Sequence, residues 1–335
     1  MQRNFLTLDE FTIQQLRLFP NGTGELSALL RDIGLASKRI NVEIGKAGLQ
    51  DILGSTNVVN VQGETVQKLD SFANSQLTGV LRNGVSCAGI CSEEEEDIIV
   101  FDDEISNNSK YVVVFDPLDG SSNIDNNISI GTIFGIYRRV SETGTPCTKE
   151  DFLQTGRKLV AAGYVIYGSS TMFVYATRRG VNGFTLDTSI GEYCLSHPNI
   201  KCVDHGVYYS VNMAGLLNYS TPIQLFIKQL MQDNFSGKNK YNFRYVGSMV
   251  ADLHRNLING GIFMYPGTPE KPNGKLRLLY ECIPFAFIYR VAGGRTSNGK
   301  TDMLDVQPTT YHARSPLFIG TNGLMDMLDE FQSRE

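Results

Sequence analysis

The chain has 335 residues, 41% of them hydrophobic, and carries a net charge of −5 with a pI of about 5.5. That is enough apolar material to bury substantial cores, and the length suggests two domains or one large one. The acidic balance, the lack of a basic tract, the lack of any apolar run near the roughly 18 residues of a membrane span, and six unframed cysteines argue against nucleic-acid binding, a bilayer anchor and a disulfide scaffold.

The first ten residues, Met1 to Glu10, hold one arginine, two acids and no continuous apolar core, unlike a secretory signal or transit peptide. The last three, Ser333-Arg334-Glu335, are not a peroxisomal tripeptide, so a cytoplasmic location is expected. Leu26, Leu29, Leu30, Ile33, Ala36, Ile40 and Ile44 recur every three or four positions and predict an amphipathic helix from Glu25 to about Lys46. Asn21-Gly22-Thr23-Gly24 is its start signal, with Thr23 as an ordinary N-cap, and amides at such a start can also hold a phosphate. Small polar residues between Gly48 and Gly63 predict a long connection, after which Asp70 falls near the start of the next helix.

Val112-Val113-Val114-Phe115-Asp116-Pro117-Leu118-Asp119-Gly120-Ser121-Ser122 is the most informative stretch. The run from Tyr111 to Phe115 predicts a core strand, and Pro117 should stop its ladder, so Asp116 and Asp119 are expected together at its carboxyl end. Two carboxylates that close penalise joint ionisation unless a cation lies between them, and hard oxygen ligands favour Mg²⁺ or Mn²⁺ over zinc. The Gly120-Ser121-Ser122 amides and hydroxyls offer an adjacent anion site. A bare Asp-Pro-x-Asp-Gly surface turn is the competing reading; the strand before it and the serines behind it favour the site. Glu93 and Glu94 open a charge run that would ordinarily face solvent, but Ser92 precedes them and an apolar run from Ile98 to Phe101 follows. Glu281 ends the apolar stretch Lys275-Leu276-Arg277-Leu278-Leu279-Tyr280, in which basic residues alternate.

Further strand-like runs fall at Ile128 to Arg138, Leu159 to Tyr167, Met172 to Ala176, Phe184 to Leu186, Gly206 to Val211, Gly261 to Tyr265 and Leu276 to Leu279. They alternate with helical patterns at Asp151 to Arg157, Pro222 to Gln232, Ser248 to Asn259 and Pro284 to Ala292, which predicts a layered α/β fold. Cys87-x-x-x-Cys91 and Cys202-x-x-His205 each lack the rest of a zinc site and read as reduced thiols.

The stretch Lys110 to Tyr137, with Asp-Pro-Leu-Asp-Gly-Ser-Ser-Asn and Ser129-Ile130-Gly131-Thr132-Ile133-Phe134-Gly135-Ile136-Tyr137, resembles class I fructose-1,6-bisphosphatase. So do Arg244-Tyr245-Val246-Gly247-Ser248-Met249-Val250-Ala251-Asp252, Gly260 to Pro266, and Leu278-Leu279-Tyr280-Glu281-Cys282. Asp-Pro-x-Asp-Gly alone marks the wider superfamily of metal-dependent, lithium-sensitive sugar and inositol phosphatases, whereas the later blocks are specific to the fructose bisphosphatases. The resemblance implies a layered α/β/α/β/α fold, with an allosteric and metal-carboxylate domain over 1–200 and a substrate-binding domain over 201–335. It implies hydrolysis of the 1-phosphate of fructose 1,6-bisphosphate, a step of gluconeogenesis, with allosteric inhibition by AMP. Sedoheptulose-1,7-bisphosphatase or another sugar or inositol phosphatase is the alternative enzyme, and an AMP-sensing regulatory protein the alternative without catalysis.

By resemblance, Glu93, Glu94, Asp116, Asp119, Glu281 and the Leu118 carbonyl hold Mg²⁺ (or Mn²⁺), roughly two or three ions per subunit. Asp70 and Glu94 orient and deprotonate the attacking water. Gly120, Ser121 and Ser122, with Asn212, Arg244, Tyr245, Tyr265 and Lys275, bind the substrate, Arg244 reaching from a neighbouring subunit of a homotetramer. AMP is expected on Thr23, Gly24, Glu25, Leu26 and Ser27, with Lys110, Tyr111 and Arg138 around it, and the Gly48 to Gly63 connection as a catalytic loop. Three positions depart from the family pattern: Gly215 where many members have a tyrosine at the 6-phosphate, Gln67 for a lysine, and Thr177 for a bulkier apolar residue near the purine.

Overall fold

The computed structural model describes residues 5–18, 22–47, 49, 55–59, 65–236 and 240–333, with 55–59, 65–67 and 234–236 described by backbone alone. Strand periodicity organises the interior. Along Tyr111–Asp119, Val112 and Val114 face one core while Val113 and Phe115 face another, because successive side chains of a strand point to opposite sides. A strand buried on both faces must be covered twice, and the chain supplies layers to do so.

Among the described residues, the first sheet has eight strands in the order Glu192–Ile200, Gly180–Asp187, Thr171–Thr177, Leu159–Tyr167, Ile130–Arg138, Tyr111–Asp119, Gly89–Ser92 and Ile99–Val100. Its neighbours run antiparallel except for Gly89–Ser92 beside Tyr111–Asp119. Helices Leu8–Leu16, Glu25–Ile44 and Lys68–Asn83 cover one face through Leu8, Leu29, Ile33, Leu69 and Leu77. On the other face lie Met249–Asn259 and Ile283–Ala292, and beneath these a second sheet that contributes Phe263, Leu317 and Ile319 to the same core. That sheet is ordered Asn242–Phe243, Tyr208–Val211, Gly261–Tyr265, Leu317–Gly320, Arg295–Ser297. Its outer face packs on Thr221–Ser236 and Asn322–Gln332 through Phe226, Ile227, Leu324 and Leu328. The result is the expected five-layer α/β/α/β/α arrangement.

Several local expectations differ from the structure. Pro117 does not end its ladder: pairing runs from Asp116 opposite Ile133 to Asp119 opposite Gly131, three steps against two. The extra residue is a bulge, where a strand tolerates a proline without an N–H. The Leu276 to Leu279 run is not a strand. Leu278–Cys282 winds as a π-helical turn, with Cys282 N donating to Arg277 O at 3.0 Å while the Arg277 N–H is taken by the Glu281 carboxylate. Asp151 to Arg157 forms only the short helix Lys149–Phe152 and a 3₁₀ turn Gly156–Lys158. The cause is Asp151, whose carboxylate accepts from the Val140, Ser141 and Thr148 amides and so acts as a cap for the neighbouring loop. Within the Gly48 to Gly63 connection, Ser55–Val59 pairs antiparallel with Thr65–Gln67; residues 50–54 and 60–64 lie outside the described residues, as does the side chain of Gln67.

Candidate active site

Two adjacent parallel strands of the first sheet and three of the second end at one cavity of about 750 Å³. Carboxyl ends of parallel strands are where a sheet leaves room for ligands. From the first sheet, Glu93 follows Gly89–Ser92 and is tied down by its N–H to Phe115 O at 3.2 Å, while Asp116 and Asp119 close Tyr111–Asp119. From the second, Asn212 follows Tyr208–Val211, Tyr265 ends Gly261–Tyr265 and Tyr245 comes two residues after Asn242–Phe243. Glu281 arrives on the π-helical turn, which aims its side chain back at the strand ends.

Oxygen atoms of Glu93, Asp116 and Glu281 lie within 4.8 Å of one another. Asp116 and Glu281 are almost fully buried. Burial, then the charges of Glu93, Glu281 and Asp119, push the Asp116 carboxyl well above its ordinary value; burial with Glu93 and Asp119 does the same to Glu281. Asp119 is raised by burial to about 6, moderated by hydrogen bonds from Val250 N at 2.9 Å and Ser248 Oγ at 3.2 Å. Ser248 caps the Met249–Asn259 helix, so one oxygen of Asp119 is engaged by the start of that helix. Three convergent carboxylates, two of them buried and one half-buried, are too many negative charges for themselves alone, and as hard oxygen donors they fit a divalent cation. Arg277, nearly inaccessible, is 3.3 Å from Glu93 through its Nε and offsets part of the charge.

Asp70, buried in the first turn of Lys68–Asn83, lines the same cavity, as do Glu94, Leu118, Gly120, Ser121, Ser122, Asn212, Tyr245, Tyr265 and Lys275. Ser92 Oγ receives the Glu94 N–H at 3.3 Å and donates to Asn74 Oδ1 at 2.7 Å, fixing the turn that begins the acidic run. That run grades outward, from half-buried Glu93, Glu94 and Glu95 to exposed Glu96. Gly120 has φ of 75° at the start of the 3₁₀ helix Ser121–Asn126, which places both serines on the cavity wall. Arg244 stands apart: it is exposed, outside the lining, with Nη1 on Phe243 O at 2.9 Å. Lys271, Arg277 and Arg314 line the cavity without having been singled out. For Arg277 a signal existed in the alternating basic residues before Glu281; the other two come from loops without a pattern.

A second cavity, of about 860 Å³, opens at the start of Glu25–Ile44 and is lined by Thr23, Gly24, Glu25, Leu26, Ser27, Tyr111 and Thr177, with Arg178, Arg179 and Asn182. Lys110 and Arg138 are not in its lining. Lys110 Nζ instead sits 2.6 Å from Glu25 Oε1 and 3.1 Å from Thr23 Oγ1, and its N–H donates to Glu25 Oε2. Burial works to raise the Glu25 carboxyl, but the bonds from Lys110 and Thr23 outweigh it and hold the group below its ordinary value. Arg138 is exposed and pairs in register with Tyr111.

Two sequence families match nearly the whole chain: fructose-1-6-bisphosphatase, N-terminal domain, over residues 6–198, and fructose-1-6-bisphosphatase, C-terminal domain, over residues 202–333. Among solved structures, Leishmania major fructose-1,6-bisphosphatase in holo form is 35% identical with a TM-score of 0.91, covering 98% of this chain and 99% of that one. Its apo form is 34% identical with a TM-score of 0.87 over the same shares.

Proposed function

Because the chain belongs to the fructose-1,6-bisphosphatase family, we propose a division of labour within its first cavity. The chain is a phosphoric monoester hydrolase acting on fructose 1,6-bisphosphate, and its family implies dependence on a divalent metal. Glu93, Glu94, Asp116, Asp119, Glu281 and the Leu118 carbonyl would hold roughly two or three Mg²⁺, or Mn²⁺ in their place. Bound there, such ions supply positive charge to the phosphoryl and leaving oxygens and acidify a water. Asp70 and Glu94, which line the same cavity, would orient the attacking water and take its proton. The Gly120, Ser121 and Ser122 segment meets the 1-phosphate, while Asn212, Tyr245, Tyr265 and Lys275 take the sugar and the 6-phosphate. On this reading the acidic wall belongs to residues 1–200, except for Glu281, and the sugar-binding wall to 201–335.

The observation that carries the reading is the convergence of Glu93, Asp116 and Glu281 within 4.8 Å in a cavity shared with Lys275 and two tyrosines. Phosphate release from fructose 1,6-bisphosphate, sedoheptulose 1,7-bisphosphate and inositol monophosphates, with Mg²⁺ and with excess EDTA, tests it. The hexose bisphosphate should be preferred and chelation should abolish turnover. Full activity in EDTA would sink the metal assignment, and a preference for another substrate would reassign the sugar wall.

The outward placement of Arg244 supports its serving a neighbouring subunit, and a homotetramer is proposed accordingly. Hybrids of Arg244→Ala with Asp119→Ala should recover activity, since one of their sites holds both residues intact. Verified hybrids without recovery would return Arg244 to its own site. The second cavity is proposed for AMP, whose phosphate would meet the helix-start amides and Lys110. Six free cysteines, five of them buried, suit a reducing compartment such as the cytoplasm, which cell fractionation would check.

A further inference from the structure

Asn212 caps the 3₁₀ helix Met213–Asn218, its Oδ1 accepting from Ala214 N at 3.1 Å. This leaves the Nδ2 amide as the donor that Asn212 brings to the cavity. The helix itself is a weak support. None of its six residues is buried, Leu217 is 88% exposed, and 3₁₀ hydrogen bonds are poorly aligned. Something outside it must hold Asn212 in place.

Tyr219, the residue immediately after the helix, meets that need. Its ring is buried in the outer core of the second sheet with Val211, Ile223, Phe226 and Met264, and its hydroxyl folds back to donate to Asn212 O at 2.7 Å. Burial, aided by Tyr265, pushes the phenol up to about 12, so it stays a donor throughout the neutral range. The path of the ring passes over Gly215. A β-carbon at 215 would lie 2.8 Å from the Tyr219 hydroxyl, closer than real β-carbon contacts come, and 3.1 Å from Cζ, so the phenol would have to shift. Gly215 and Tyr219 therefore form a pair: the missing side chain at one position is what lets the phenol of the other reach the cap.

We infer that Tyr219, seated in the gap left by Gly215, is a positioning residue that holds Asn212 toward the 6-phosphate of the substrate. The inference deepens the proposed placement of the sugar and rests on it. Fructose 1-phosphate, which lacks the group Asn212 would meet, separates this role from general support of the fold. In the wild type, KM for fructose 1,6-bisphosphate should lie well below KM for fructose 1-phosphate. Tyr219→Phe keeps the ring and deletes only the hydroxyl, so it should raise KM for the bisphosphate roughly 3- to 10-fold, the worth of one hydrogen bond. KM for fructose 1-phosphate should move less than about two-fold. Gly215→Ala, which displaces the phenol while leaving Tyr219 itself unaltered, should reproduce the same selective rise. A bisphosphate KM unchanged in both variants, or a parallel rise for both substrates, would overturn the role of Tyr219. A wild type whose KM is equal for the two substrates would instead overturn the placement of the 6-phosphate, and the inference with it.

Discussion

At the scale of single residues, Glu94 carries the sharpest consequence. It stands beside the Glu93, Asp116 and Glu281 cluster on a turn fixed by Ser92 and Asn74, and it is proposed to act on water rather than on the sugar. Glu94→Gln keeps the shape and removes the base, so kcat should fall about 10²- to 10⁴-fold with KM nearly unchanged in steady-state assays. A change confined to KM would contradict the role. The carboxylates were legible because charge is unusual where Asp116, Asp119, Glu93 and Glu281 stand, next to apolar strand runs. Lys271 and Arg314 were not, because a basic residue in a polar loop looks the same whether it faces water or a cavity. Arg244 shows the reverse: its motif was plain, while its position outside the cavity depends on how the following segment leaves the sheet.

At the scale of elements, the bulge at Pro117 and the π-helical turn at Leu278–Cys282 do the aiming. The bulge adds a residue between Asp116 and Asp119 so that both reach the cavity, and across from it Gly131 pairs with Asp119. A β-carbon at 131 would fall 2.5 Å from Val165 O and 2.6 Å from Val250 Cγ1, and Val250 is the residue whose N–H holds Asp119. Gly131→Ala should therefore lower stability by about 1–3 kcal/mol, the usual cost of overpacking, seen as an earlier urea midpoint. An unchanged midpoint would show that the two walls of the site can separate freely. Periodicity found seven of the fifteen described strands and the helices Glu25–Ile44, Thr221–Ser236, Met249–Asn259 and Ile283–Ala292, yet it misread Leu276 to Leu279 because an apolar run does not distinguish a strand from the buried start of a helix. Glu192–Ile200 escaped for the opposite reason: Ser196, His197, Pro198 and Asn199 are exposed on a bulged edge strand, where little apolar pattern is required.

At the scale of the molecule, the two cavities are joined by one strand. Tyr111 lines the second cavity and Asp119 the first, with eight residue steps between them, roughly 25 Å at about 3.3 Å per residue. An effector so far from the metal carboxylates can inhibit only by binding one global state better than another. Lys110 adjoins that strand and is paired with Glu25 at the helix start, so a phosphate arriving there would have to draw the ammonium away from its carboxylate. Lys110→Ala should raise the AMP concentration needed for half-inhibition about 10- to 100-fold, the worth of a charge-assisted hydrogen bond, while uninhibited kcat stays within about two-fold. Inhibition competitive with substrate, or unaltered in the variant, would refute a remote effector site.

What the sequence determined by itself was local and chemical. Alternation and helical spacing encoded the layered α/β class, and the Asp-Pro-Leu-Asp-Gly-Ser-Ser block with the later motifs encoded the family, because both depend on residues close together in the chain. Tertiary structure decided which distant residues meet. It set Glu281 against Glu93 and Asp116, both more than 160 residues away in the chain, and brought the Val250 N–H to Asp119 from 131 residues away. Those outcomes follow from how two sheets pack across shared helices and how bulges and short turns bend their strand ends, and no window of sequence contains both sides of such a contact.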